Sequence, residues 1–576
     1  MAPSPSRASK QSLRRNKALA VGALALVALG VATVTGVLTG DRDGSPRDET
    51  VVDPNGFMRT ACQIPASWAR YVHRGWAPDP ARDSDLAVVQ AGNNWFGSFE
   101  STSHSGPQGF LQDVPLVLYG PGFIEPQGPI RLDREVTLAD VPATAAALMD
   151  FDFKGEGTPI SEVLSTRDQP PGLIVTVVID GGGLNVLKQW PDATPNLRSL
   201  MQEGSSIEGA VVGSAPSITP AVHSTLSTGV FPREHGVMSI AMRHSNGSVA
   251  PSMSRNVSQG GAAADPTLTL EPTTLADEWD LANDNNAEAA MVAAQNFHLG
   301  MIGHGAALDG ADKDIAVMLR DPMLATYPED AWATNDEYFS LPSYINTEVE
   351  GPEAELIELD VADGKADGLW RGHDSWRLEA TPAFSAVQTR VLEEIVTREG
   401  FGSDDVTDLF YINYKAPDAA GHRWNMIAPE QRDAVASVDE QLGRLVTFLD
   451  DTMGANYVLV VTADHGQTPL ESSGWAIHQG ELMDDLHEEV DKIENDDQII
   501  QRTSAGIYFL NEDELKRNGI TPGTVATLLS DYTIGDNLSA SRDLPPKFTD
   551  RLDEKIFAAV VPGKRLDDLL ACTSPD

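Results

Sequence analysis

The chain has 576 residues, enough for one large domain with insertions or for two domains. Its 41 Lys+Arg against 85 Asp+Glu give a net charge of −44. Such a balance excludes general electrostatic attraction to nucleic acid as a polyanion. Any small anionic substrate would need a local positive site, which metal ions can supply.

Residues 1–17 carry Arg7, Lys10, Arg14, Arg15 and Lys17 and no acid, a basic cytoplasmic tail. Residues 18–40 are uncharged and mostly apolar, and at about 1.5 Å per residue they are long enough to span a membrane. They read as a retained anchor that tethers an extracytoplasmic domain to the cell membrane. A cleaved signal peptide is the competing reading, but the run is long for one and no clear A-x-A site ends it. Residues 41–60 begin acidic, with scattered Pro and Gly, and read as a linker. Residues 61–576 then form the exported domain. Insertions are expected near 239–272, rich in Ser, Gly, Asn and Ala, and near 320–375, charged and Gly-containing. Cys62 and Cys572 sit near the two ends of that domain, and outside the cell such a pair is permitted to oxidise.

Within the domain, Leu86 to Gln90 reads as a strand, Val114 to Tyr119 as another, and Val136 to Met149 as an amphipathic helix. L-I-V-T-V-V-I at 173–179 is a short β-branched run, as in a buried strand, and it ends in Asp180-Gly181-Gly182-Gly183. A carboxylate there points into the crevice where open α/β sheets bind ligands. The segment P-S-I-T-P-A-V-H-S-T-L-S-T-G follows, with a helix start at Thr219-Pro220. Thr is a good N-cap and Pro suits the first helical position. An anion, or a hydroxyl losing its proton, is stabilised at that end of a helix; an ordinary helix start is the plain alternative.

Further on, a helix is expected from Thr273 to Leu281 and a strand from Glu288 to Ala294. His298 and His304 follow among glycines, either near a substrate pocket or as loop scaffolding. Asp408 to Tyr414 reads as a strand leading into K-A-P-D-A-A-G-H, where Asp418 and His422, four apart, can share one metal. The apolar positions of 433–449 trace one helix face. Tyr457 to Thr462 is a third strand, again ending in a carboxylate and an imidazole, Asp464 and His465.

Together, the strand-end Asp180, the Thr219 segment with its trailing F-P-R-E-H-G, the P-D-A-A-G-H box and the T-A-D-H-G box resemble the alkaline phosphatase superfamily, and most closely its type I phosphodiesterase/nucleotide pyrophosphatase branch. The resemblance covers roughly residues 85 to 510. It implies an α/β fold, a mostly parallel central sheet with helices on both faces. It also implies Thr219 as nucleophile and two divalent metal ions. One metal would take Asp180, Asp464, His465 and the Thr219 oxygen, and the other Asp418, His422 and His104. Mixed carboxylate and imidazole ligands suit zinc, with manganese the alternative.

The His104 turn, Val114-Pro115-Leu116 and Asp140-Val141-Pro142-Ala143-Thr144 resemble a block that the family carries after the T-A-D-H-G box. Here the block comes first, which implies a circular permutation. The permutation in turn would bring Cys62 and Cys572 within disulfide reach. The sequence departs from the branch at Val222, where an Asn commonly helps to bind a phosphate oxygen. The C-x-P-x-R motif of the sulfatases is absent.

The leading expectation is an exported, metal-dependent hydrolase of phosphodiester or pyrophosphate bonds in a small phosphorylated substrate, working through a phospho-threonine. A phosphomonoesterase or phosphonate hydrolase on the same site is the alternative. A non-catalytic, membrane-anchored envelope protein is the third reading. The oligomeric state is left open.

Overall fold

The computed structural model describes residues 52–573 apart from 79–84, 98–101, 244–247, 253–269, 322–326, 374–376, 470–473, 492, 494–496 and 539–543. The apolar run at 18–40 and most of the 239–272 insertion therefore lie outside the described residues. No helix among the described residues is long and apolar enough to cross a membrane.

The β-branched run forms the strand Leu173–Ile179, buried along its whole length. Its residues alternate between two hydrophobic cores. Ile174 and Val178 join one, while Leu173, Val175, Val177 and Ile179 join the other. A strand buried on both faces belongs in the middle of a sheet covered on both sides. Here it pairs in parallel with Asp408–Tyr414 on one side and with Tyr457–Thr462 on the other. The nine-stranded sheet then runs outward through Ala289–Ala293 and Ile315–Leu319 to Trp332–Ala333. On the other side it runs through Leu116–Tyr119 and Ser205–Ile207 to Gly128–Ile130. Only Trp332–Ala333 and Leu116–Tyr119 run against the rest, so the sheet is mostly parallel as expected. The helices Pro382–Glu399 and Pro429–Met453 pack together over one face. The helix Thr219–Thr228 belongs to the other face, through Val222 and Leu226.

Several expected elements shift at their ends. The helix expected over 136–149 is a short strand, Val136–Thr137, followed by the helix Asp140–Leu148. The Thr273 helix runs Leu275–Ala282, started by a capping box between Thr274 and Asp277. The insertion near 320–375 contains the helix Glu353–Ala362.

The strand Leu86–Gln90 does not enter the main sheet. It sits in a separate antiparallel sheet of four strands, between Ile507–Leu510 and the C-terminal strand Phe557–Pro562. This sheet has a core of its own, to which Phe57, Trp76, Tyr508 and Phe557 contribute. The two ends of the domain meet here. Cys62 and Cys572 are joined in a disulfide, with Cα atoms 5.3 Å apart across 510 positions of sequence.

Candidate active site

Three parallel strands stop side by side and deliver their next residues to one place. Leu173–Ile179 delivers Asp180, Asp408–Tyr414 leads through Lys415 into the helix Ala416–Trp424 with Asp418 and His422, and Tyr457–Thr462 delivers Asp464 and His465. The turn after Asp180 needs glycine. Gly181 has φ +66°, and a Cβ there would lie 2.9 Å from the Asp418 Cα. The turn carrying His104 reaches in from the block before Asp180, and its ring stacks on that of His465 with centroids 3.4 Å apart.

Six of the seven residues expected as metal ligands, all but Thr219, therefore converge. The His465 Nε2 lies 3.2 Å from Asp464 Oδ2 and 3.8 Å from Asp180 Oδ1. Around Asp418 Oδ1 stand His422 Nε2 at 3.2 Å and His104 Nε2 at 3.6 Å. The backbone sets the tautomers. The Nδ1 atoms of His104, His422 and His465 each face a carbonyl oxygen, of Ser217, Thr102 and Gly466, at 2.8, 3.0 and 3.0 Å. A carbonyl only accepts, so each Nδ1 carries the proton and each Nε2 turns its lone pair toward a carboxylate. Lone pair against lone pair is repulsive unless a cation or a proton stands between them. Asp418 Oδ1, Asp464 Oδ2 and His465 Nε2 are buried here without a hydrogen-bond partner. Such orphaned atoms, with each Nδ1 fixed by an acceptor, are what a metal-binding histidine set requires.

The charges agree. Three buried carboxylates face one buried cation, Lys415, whose Nζ is 3.1 Å from Asp180 Oδ1 and 2.6 Å from Asp418 Oδ2. Burial alone would lower the Lys415 pKa, but Asp180 and Asp418 override it and raise it. Burial, then the neighbouring Asp464, pushes Asp180 up to about 8. Burial, reinforced by His465, holds His104 neutral. The excess negative charge calls for cations, and the donor set fits divalent metals of the zinc type.

A pH dependence follows for the metal-free protein. An unfolded Asp loses its proton near pH 4, whereas Asp180 keeps it to about 8. Between those values the folded state binds more protons, so the Asp180 contribution to stability falls as pH rises, by about 1.4 kcal/mol per pH unit at most for one proton. Burial lowers His104, His223, His235 and His298, which add stability as pH rises toward about 6.5, so the Asp180 contribution is isolated by comparison. We expect the melting temperature of the chelated wild type, relative to that of chelated Asp180→Asn, to fall from pH 5 to pH 8, and to fall less with zinc present. Equal slopes in all three samples would contradict this assignment of charge.

Thr219 begins the helix Thr219–Thr228, but its N-cap is Ile218, in extended conformation and with no side-chain cap. The expected capping role of the threonine is therefore off by one position, and its side chain is not spent on the helix start. Thr219 lines a cleft of about 390 Å³ together with His104, Lys415, Asp418 and His422. The helix is buried throughout although six of its ten residues are Ser, Thr or His. It is tolerated because Ser224, Thr225 and Thr228 donate back to the carbonyls of Pro220, Ala221 and Ser224.

His298 and His304 do not line the cleft. His304 is pinned by Asp277, Nδ1 to Oδ2 at 2.8 Å, and its Nε2 faces the Leu270 carbonyl. These bonds tie a loop to the Thr274 capping box. His298 lies fully buried against His223, with the two Nδ1 atoms 3.2 Å apart, and His223 lies 3.3 Å from Asn413 Nδ2. The same Asn413 amide donates to Asp180 Oδ2 at 3.0 Å. These histidines back the site rather than face a substrate.

Two groups of cleft residues carried no motif signal. One is Lys415, which stands just before the P-D-A-A-G-H box. The other is Arg377 with Glu379, beside Gln295 on the cleft wall. A polar Asn413 within the otherwise apolar strand D-L-F-Y-I-N-Y was the one visible sign of the support behind Asp180.

Comparison with known proteins gives the same direction. The family model described as type I phosphodiesterase / nucleotide pyrophosphatase matches residues 174–529, more than half of the chain. The chain is similar to alkaline phosphatase PhoD of Zymomonas mobilis subsp. mobilis, 23% identical over 351 residues, covering 57% of this chain and 59% of that protein. The chain thus spans about three-fifths of the length of such curated relatives. It is similar over a shorter stretch to human ectonucleotide pyrophosphatase/phosphodiesterase family member 7, 32% identical over 76 residues, 12% of this chain and 16% of that one. Among solved structures, wild-type alkaline phosphatase PafA aligns with a TM-score of 0.48 and 14% identity, covering 69% of this chain and 85% of that one.

Proposed function

The chain belongs to the type I phosphodiesterase / nucleotide pyrophosphatase family, and from that premise we propose that it is a metal-dependent hydrolase of phosphodiester or pyrophosphate bonds. The carrying observation is the set of three histidines whose Nδ1 atoms face carbonyls and whose Nε2 atoms face buried carboxylates.

Asp180, Asp464, His465 and the Thr219 oxygen would hold one cation, and Asp418, His422 and His104 the other. Two divalent ions held so would stabilise charge on the attacking and leaving oxygens and make a hydroxyl or water nucleophilic at neutral pH. The protein's own part is positioning, which is most of what phosphoryl transfer needs. The Thr219 hydroxyl attacks phosphorus, and the bond to the leaving oxygen breaks. Water then cleaves the phospho-threonine, which restores the hydroxyl and releases the phosphoryl product. Lys415, buried in the cleft that Thr219 also lines, is a cationic donor to hold a phosphoryl oxygen where Val222 has none to offer.

The same lysine favours a second reading, because a buried cation would also neutralise the extra charge of a monoester. Several relatives bear alkaline phosphatase in their names. Export to the outer face of the cell membrane, through residues 18–40, is supported by the disulfide at the domain ends.

A screen of aryl phosphate mono- and diesters with added zinc tests both readings. We expect zinc-restored turnover of bis(4-nitrophenyl) phosphate, abolished by a chelator and exceeding that of 4-nitrophenyl phosphate. A strong monoester preference would select the second reading. No turnover of any ester with zinc or manganese would contradict both.

A further inference from the structure

On the wall of the cleft, the Glu379 carboxylate is 1% exposed, yet both of its oxygens are used. Oε1 accepts from Arg377 Nη2 at 3.1 Å, and Oε2 accepts from Gln295 Nε2 at 2.8 Å. A carboxylate fixed on both sides anchors one nitrogen of the guanidinium through a single bond, and a planar guanidinium suits an oxyanion. The Arg377 side chain is 28% exposed and lines the cleft, with its Nε buried in the wall.

The turn Leu378–Ala380, which carries Glu379, packs on the helix Ala416–Trp424. That helix supplies Asp418 and His422; because the other ligand set includes the attacking Thr219 oxygen, an ion held here would stabilise the leaving oxygen. Arg502 also lines the cleft. In a chain of net charge −44, two guanidinium groups in one cleft favour an anion there.

We propose that Arg377, oriented by Glu379, is a specificity residue that binds an anionic group carried by the leaving portion of the substrate. The inference rests on the phosphoesterase reading and names the class of ester within it: one whose leaving group bears a carboxylate, sulfonate or phosphate. Arg377 touches the substrate in this scheme, whereas Glu379 acts through Arg377 as a positioning residue.

A matched pair of diesters tests it on the full chain with zinc: phenyl 4-nitrophenyl phosphate and phenyl 3-carboxy-4-nitrophenyl phosphate, which differ by one carboxylate on the leaving group. The readout is the ratio of kcat/KM for the carboxylated to the plain ester. Arg377→Ala should lower that ratio roughly ten-fold or more, through KM rather than kcat. Arg377→Lys should keep part of the preference, and Glu379→Gln should fall between. A ratio within two-fold of wild type in a folded Arg377→Ala protein would overturn the proposal, since a purely structural ion pair lowers stability without changing discrimination. Should that variant not fold, the wild type still decides. Added salt should depress kcat/KM more steeply for the carboxylated ester, and equal slopes would overturn the proposal. Hydrolysis of neither ester by wild type would instead sink the parent reading and this inference with it.

Discussion

Replacing Thr219 with Ala is expected to lower turnover by about three orders of magnitude or more, with fold and metal content preserved. The Thr219 residue is 5% exposed and opens onto the cleft shared by His104, Lys415, Asp418 and His422. Its backbone is already helical, a conformation that Ala takes readily. The side chain caps nothing, so the substitution removes a hydroxyl and a methyl without freeing a helix end. A loss of about 1 kcal/mol of stability is the ordinary scale for such a change. Thr219→Ser keeps the hydroxyl and should retain measurable activity. Wild-type turnover by the Ala variant would rule out the covalent route, whatever the substrate. A quenched reaction of wild type should carry phosphate on the Thr219 peptide.

Much of this site was legible because it is written locally. The β-branched run L-I-V-T-V-V-I reads as a strand buried on both faces, and a carboxylate at the end of such a strand points into the crevice. Asp418 and His422 share one helix face because they are four apart. What was illegible depends on long-range packing. Gln295 meets Glu379 across 84 positions, and Lys415 meets Asp180 across 235. No local pattern encodes either meeting. The strand Leu86–Gln90 was visible as a strand, but the sheet it joins is decided by Phe557–Pro562 at the other end of the chain. From sequence His304 reads as either a pocket residue or loop scaffolding, because its glycine-rich neighbours say nothing of Asp277, which holds it. Helix ends were the least secure, as the one-residue slip at Ile218 illustrates.

Replacing His104 with Ala is expected to cost activity about as severely as Asp418→Ala, on the order of 10²- to 10³-fold, with partial recovery at high zinc. The argument starts from where His104 lies. The family model matches from residue 174 onward, so the turn at 103–105 stands outside it. Yet that turn reaches the same cluster: His104 stacks on His465 and stands 3.6 Å from Asp418 Oδ1, with its Nδ1 fixed by the Ser217 carbonyl. The strand that follows, Leu116–Tyr119, pairs antiparallel with Tyr457–Thr462, the strand that delivers His465. A block displaced along the sequence can keep its position in space if the present ends are where an unpermuted chain would run on, which requires them to lie side by side. Here the terminal strands are paired through Leu86–Gln90 and Phe557–Pro562, and the disulfide lies beyond them. We propose that the permuted His104 supplies the last metal ligand. The competing candidate, His478, starts the helix Gln479–Val490, and its Nδ1 accepts from the Glu481 N–H. His478→Ala should therefore cost stability rather than metal. Metal content measured on both variants separates the cases: His104→Ala should lose about one of two bound zinc ions and His478→Ala neither. The reverse pattern would return the missing ligand to the region after the T-A-D-H-G box and remove the case for permutation.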